Sequence, residues 1–233
     1  MQAEKKEDTL KPHYHGHRDR LRERFLQSGA DALADYEMLE LLLFMAIPRR
    51  DIKPLAKELI ARFGNLSGVL NTPIPELQKI EGLSETSITA LKAVQAVAHR
   101  MMKQDIMHKP VLNSWARLVE YCTATMAYDM RESFRVLFMN KKNELIADEI
   151  QQTGTVDHTQ AYPREIIKRA LELGATALVL CHNHPSGDAT PSRNDIDVTN
   201  NIIAAGRPFN ILIHDHLVVS KKGTSSFKTL RLI

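Results

Sequence analysis

The run Ala175–His184, ATALVLCHNH, constrains the fold more than any other stretch of the chain. It is almost wholly apolar through Cys181 and lies between Gly174 and Pro185. A short apolar run bounded in this way reads as a strand buried on both faces, so a sheet covered by helices must surround it. The flanking sequence supplies those helices. PREIIKRALELG has Pro163 at its start and Gly174 past its end, and SRNDIDVTNNIIAAG stops at Gly206. NSWARLVEYCTATM reads as a helix, FRVLFM and ELIADEI as strands around the turn Asn140–Asn143, and ILIHDHLVVS as a further strand. Residues 111–233 are therefore expected to form a mixed α/β unit.

The chain before this unit has a different period. From Arg18 to Met102 apolar residues recur at helical spacing and no strand pattern interrupts them. Gly29 and Gly64 read as helix stops and Asp35 as the N-cap of DYEMLELLLFMAI. Residues 1–17 are polar and read as a disordered tail, in which His13, His15 and His17 would hold a metal only weakly. The stretch 103–110, polar and ending in proline, reads as the linker. The expected class is thus an all-helical N-terminal domain followed by an α/β domain.

Composition excludes several functions. The net charge of +3 is spread over both parts, with sixteen basic and fifteen acidic residues through His108, so neither part is a basic domain. Cys122 and Cys181 are too few for a disulfide framework and suit a reducing compartment. The start MQAEKKEDTLK has no apolar core for a signal peptide, and no apolar run reaches membrane-spanning length. A cytoplasmic protein without a membrane partner is expected.

His182 and His184 stand two apart at the end of the buried strand, so their side chains share one face, while Cys181 and Asn183 point the other way. Pro185, Gly187 and Pro191 keep the next segment in a loop. Ser192 then opens a helix, with Asp195 in its first turn and able to reach back to the histidines. Three such ligands leave a fourth position for water, the arrangement of a catalytic rather than a structural zinc. The same residues also fit a plainer reading, in which Ser192 and Asp195 form a capping box and the histidines only tie down the loop.

The string His182–Asp195 fits H-x-H-x7-S-x2-D and resembles the JAMM (MPN-plus) metal-hydrolase motif. HNHPSG, the PS-x-x-D pair and Asp215-His216 in the last strand resemble the RadC family in particular, and the helical part resembles the UPF0758-type N-terminal domain of that family. In HNH nucleases the three residues are dispersed, so the tripeptide here is coincidence. The resemblance implies a JAB/MPN-type, cytidine deaminase-like α/β fold and one Zn²⁺ held by His182, His184 and Asp195. It further implies a glutamate general base upstream, expected at Glu132 with Glu149 as the alternative, and an oxyanion-stabilising role for Ser192. Asp215 and His216 read as supporting residues, and His158 as a loop residue near the cleft.

The implied activity is zinc-dependent hydrolysis of an amide or isopeptide bond in a protein or peptide, with a connection to DNA repair. Two other functions fit part of the pattern: a metal-dependent nuclease or phosphodiesterase acting on DNA, and a non-catalytic DNA-associated module. Arg193 alone among basic residues lies inside the motif, which favours the peptidase over an enzyme that must clamp phosphates. Residues 77–91 resemble a helix-hairpin-helix, but the hairpin reads Gly82-Leu83-Ser84, with serine where a second glycine would allow close approach to a DNA phosphate. Ile88 also replaces the usual small residue. A structural or protein-binding hairpin is the expectation there.

Overall fold

The computed structural model describes residues 16–153 and 162–233; His13, His15 and His158 lie outside the described residues. The chain divides into two compact units, Met1–Val94 and Gln95–Ile233. No helix among the described residues is long and apolar enough to cross a membrane.

The first unit is helical. It comprises α1 (His17–Ser28), α2 (Asp35–Ala46), α3 (Lys53–Phe63), α4 (Leu66–Asn71), α5 (Ile74–Leu77) and the first part of α6 (Glu85–Ile106). Leu39 and Leu43 of α2, Leu55 and Leu59 of α3, Val69 of α4 and Leu91 of α6 meet in one buried core. Helix α1 stops at Gly29, whose N–H returns to the Phe25 carbonyl. His17, expected in the tail, is the first residue of α1, and its Nε2 lies 2.6 Å from Oε2 of the buried Glu40.

Asp35 is not the N-cap expected of it. Ala34 holds that position, and Glu37 reaches back to accept the Ala34 N–H at 3.1 Å. The Asp35 carboxylate instead accepts the N–H of Leu66, at the start of α4. Helix α6 also continues past Met102 to Ile106, because His99–Ile106 contains neither proline nor glycine. The division between units thus falls within α6, upstream of the linker read at 103–110.

The second unit is built on one five-stranded sheet in the order β2-β1-β3-β4-β5. The strands are β1 (Ser133–Met139), β2 (Leu145–Thr153), β3 (Ala177–Asn183), β4 (Leu212–Ser220) and β5 (Gly223–Ser226). β3 and β4 run parallel and are joined through α9 (Arg193–Gly206); all other pairings are antiparallel. α7 (Trp115–Met126) covers one face, packing Leu118, Cys122 and Met126 on Leu137, Val179, Cys181 and Val219. α8 (Pro163–Leu173) and α9 cover the other, packing Ile166, Ile167, Ala170 and Ile202 on Val136, Phe138, Leu178 and Leu180.

Both faces of β3 are therefore dry, which explains its unbroken apolar run. Alternate residues serve opposite cores, so Cys181 faces α7 and His182 faces α9, as the strand period requires. β4 carries an irregularity where Ala177 and Leu178 pair with Leu212 and Ile213, but Val179 pairs with Asp215. The extra residue, His214, breaks the alternation. An unbroken period of two would put His214 and His216 on one face. Instead His214 bonds Asn143 at 2.7 Å, while His216 turns to His182.

Candidate metal centre

The site forms where β3 ends and α9 begins. β3 terminates at Asn183, one residue before the expected end, but the His184 N–H still bonds the Val219 carbonyl of β4. That bond carries the strand register one residue further and turns His184 to the same side as His182. The Gly187 N–H then closes a turn on the His184 carbonyl, with Gly187 at φ 88°, a conformation that suits glycine. Asp195 is fixed from the other direction. Its Oδ2 accepts the Ser192 N–H at 2.7 Å and its own N–H donates to Ser192 Oγ at 3.2 Å. The capping box read from the sequence is present, and it aims the carboxylate at the histidines.

The three side chains converge. His182 Nε2 lies 3.0 Å from His184 Nε2, and each nitrogen is 3.4 Å from an oxygen of Asp195. The hydrogen-bond chain behind them fixes which atoms carry protons. Thr199, one turn after Asp195 on α9, donates its hydroxyl proton to the Asp195 main-chain carbonyl at 2.5 Å. The 2.6 Å contact between Thr199 Oγ1 and His216 Nδ1 must then be donated by the imidazole. Neutral His216 therefore has a bare Nε2, which accepts from His182 Nδ1 at 2.8 Å. Burial holds the His216 pKa well below its ordinary value, in keeping with the neutral ring. His182 Nε2 is left bare as well. His184 Nδ1 faces the Asp188 carbonyl at 2.7 Å, an acceptor only, so His184 Nε2 is the third bare nitrogen.

With both rings neutral, two lone pairs face each other at 3.0 Å beside a carboxylate, an arrangement that a proton on His184 or a bound cation relieves. The protein is arranged to favour such a charge. The hydrogen bond with Asp195 raises the His184 pKa against the opposing effect of burial. Burial disfavours the Asp195 carboxylate, yet its bonds with His182, His184 and Ser192 outweigh that and hold its pKa far below the usual carboxylate range. The 3.4 Å nitrogen–oxygen spacings also match the separation of about 3.4 Å between ligands of a tetrahedral ion with bonds of about 2.0–2.1 Å. Among the described residues this is the one His/Cys/Asp/Glu group whose ligand atoms could hold a metal ion.

Thr199→Val keeps the shape of this buried residue but removes the hydroxyl that orders the chain. Zinc affinity, measured by chelator competition, is expected to fall by about 10–100-fold. An unchanged affinity would show that the tautomers are set by other contacts.

Glu132 is half-buried and directly precedes β1. Its carboxylate is among the charges that favour protonated His184, the smallest of them. Its backbone is held by the buried Asn183, whose Oδ1 accepts from Ser133 N and Oγ at 2.8 and 2.9 Å and whose amide donates to the Arg131 carbonyl at 3.1 Å. The strand bearing His182 thus also anchors the segment bearing Glu132. Glu149 is engaged elsewhere: both its oxygens accept from the Arg169 guanidinium at 2.7–3.1 Å, which lowers its pKa. Ser192 is exposed, and because its oxygen accepts from Asp195 N its own proton can be donated outward. Asp215 does not join the centre; it accepts from Ser226 Oγ and from the N–H groups of His216 and Lys228, securing the chain after β5.

Sequence reading missed Thr199 and Asn183. Thr199 was within reach, since it stands four residues after Asp195 on the same helix face. Asn183 was seen only as facing away from the site.

A two-histidine, one-aspartate group at the end of a central strand, closed by a helix N-terminus, marks the second unit as a candidate metal-binding α+β domain. Comparison with known families makes the class specific. Residues 112–232 match the RadC-like JAB domain and residues 15–89 match the UPF0758 N-terminal domain. The first match covers more than half of the chain, which belongs to the RadC family.

Proposed function

We propose that this chain is a zinc-dependent hydrolase of the JAMM type that cleaves an amide or isopeptide bond in a protein or peptide. The observation that carries the reading is the convergence of His182 Nε2, His184 Nε2 and the Asp195 carboxylate on one point. His182, His184 and Asp195 would hold the ion, whose charge would polarise the carbonyl and lower the pKa of a coordinated water to about 7. The remaining work falls to side chains. Glu132 takes a proton from the attacking water and delivers it to the leaving nitrogen as the C–N bond breaks. Ser192 Oγ–H donates toward the oxygen that gains negative charge. His216 and Thr199 keep His182 in the tautomer that frees its Nε2. Glu149 is a poorer base than Glu132, because its lone pairs are committed to Arg169.

Ser192→Ala is expected to slow turnover by about 10–10³-fold and to weaken the start of α9 by about 1 kcal/mol. The proposal is tested by incubating zinc-loaded protein with peptide and isopeptide libraries and, in parallel, with single-stranded, double-stranded and branched DNA. Cleavage of amides but not DNA is expected. DNA cleavage that depends on His182 and His184 would replace the peptidase with a nuclease.

A further inference from the structure

The first unit carries a hollow of about 300 Å³ between the start of α1 and the α2–α3 turn. Arg18, Arg22, Arg49 and Arg50 line it, with Asp19 and Asp51 as its two acids. Some of this charge is used internally. Arg18 donates to the Ile47 and Arg50 carbonyls at 2.7 and 2.8 Å, pinning the turn, and its guanidinium lies over the Phe44 ring at 4.6 Å. Arg22 pairs with Asp19 at 3.1 Å. Arg49 and Arg50 differ: among the described residues no acidic group lies within ion-pair distance of either guanidinium.

Two backbone features accompany these arginines. Arg49 sits at φ 60°, in the left-handed region that a side-chain-bearing residue enters at a cost. The Arg50 guanidinium lies so close over Gly82, itself at φ 91°, that a Cβ there would be 2.8 Å from Nη1. The hairpin glycine therefore makes room for a cation. Two of the hairpin amides have other partners: the Leu83 N–H donates to the Ile80 carbonyl at 3.3 Å and the Ser84 N–H to Ser87 Oγ at 2.7 Å. The hairpin backbone is thus partly engaged within the unit, which moves attention to the arginines beside it.

We propose that this hollow binds a phosphate group through Arg49 and Arg50. Two arginines without acidic partners, both lining one hollow and one of them at a strained backbone position, match the charge and the forked hydrogen-bond geometry that a phosphate accepts. The phosphate source is a nucleotide or the backbone of a nucleic-acid strand. A single hollow contacts only one or two phosphates, so binding to a strand will be weak and its salt dependence shallow, with a slope of about −1 in log K against log salt.

Fluorescence anisotropy of the full chain with a labelled, 5′-phosphorylated single-stranded oligonucleotide at low salt tests this directly. The double variant Arg49→Ala/Arg50→Ala is expected to weaken binding by about tenfold or more. Arg24→Ala, whose guanidinium pairs with Glu37 outside the hollow, should change it by less than about twofold. Inorganic phosphate should displace the oligonucleotide from the wild type. Arg49→Gly should lose affinity while its thermal midpoint stays at or above that of the wild type, because glycine relieves the left-handed backbone. Competition by adenosine monophosphate as effective as by the unlabelled oligonucleotide would identify a nucleotide as the source, and much tighter strand binding would identify a polynucleotide. Wild-type affinity in the double variant, or no binding of any of these probes to the wild type, would overturn the proposal.

Discussion

Glu132→Gln will retain the metal and lose about 10²–10⁴-fold in hydrolytic rate. The substitution preserves the size and polarity of the side chain but removes the carboxylate that accepts a proton. No ligand contact is made by it, because His182 Nε2, His184 Nε2 and Asp195 converge without Glu132. Metal content and rate should therefore separate. Glu149→Gln is the matched control. Its carboxylate is already held by Arg169 on α8, so the variant should lose surface stability and little activity. If Glu149→Gln were inactive and Glu132→Gln turned over normally, the base would be Glu149. If both were active, the mechanism itself would be wrong.

The second large effect lies on the opposite face of the sheet and concerns stability. Arg135, on β1, is buried against α7, where its Nη1 donates to Tyr121 Oη at 2.8 Å and to both Asp148 oxygens at 3.0 and 3.1 Å. Tyr121 and Lys103 also donate to Asp148 Oδ2, at 2.5 and 3.0 Å. Burial and the Asp148 charge raise the Tyr121 pKa, so its hydroxyl stays a donor, although Arg135 pulls the other way. Arg135 Nε already lacks a hydrogen-bond partner. Asp148→Ala would leave the guanidinium uncompensated in the core, and a loss of about 3–5 kcal/mol is expected in urea unfolding. An apolar double replacement, Arg135→Met/Asp148→Leu, should recover most of that loss, since the buried charge leaves with its partner. A loss below about 1 kcal/mol for Asp148→Ala would mean that water reaches Arg135.

Much of the second unit was legible because its strands are short, apolar and bounded by turn residues. β3 could be read from ATALVLC alone, and the common face of His182 and His184 follows from a period of two. Asp195 was legible for a different reason, since a capping aspartate must sit in the first turn of its helix. The misreadings occurred where tertiary contacts override local pattern. Asp35 looks like an N-cap, but Leu66 offers its carboxylate an unpaired N–H from another helix. His214 looks like a partner of His216, but one inserted residue in β4 turns it to Asn143. Strand β5, GTSS, has no apolar alternation and exists only because β4 offers it an edge. The buried arginine in FRVLFM was visible, but Asp148, Tyr121 and Lys103 come from three other elements that no local pattern connects.

Metal stoichiometry tests the central claim most directly. Purified protein dialysed against limiting zinc should retain about one ion per chain, and His182→Ala/His184→Ala should retain none while keeping its far-ultraviolet circular dichroism. Equal zinc in the wild type and the double variant would contradict the site, and with it the hydrolase built on it.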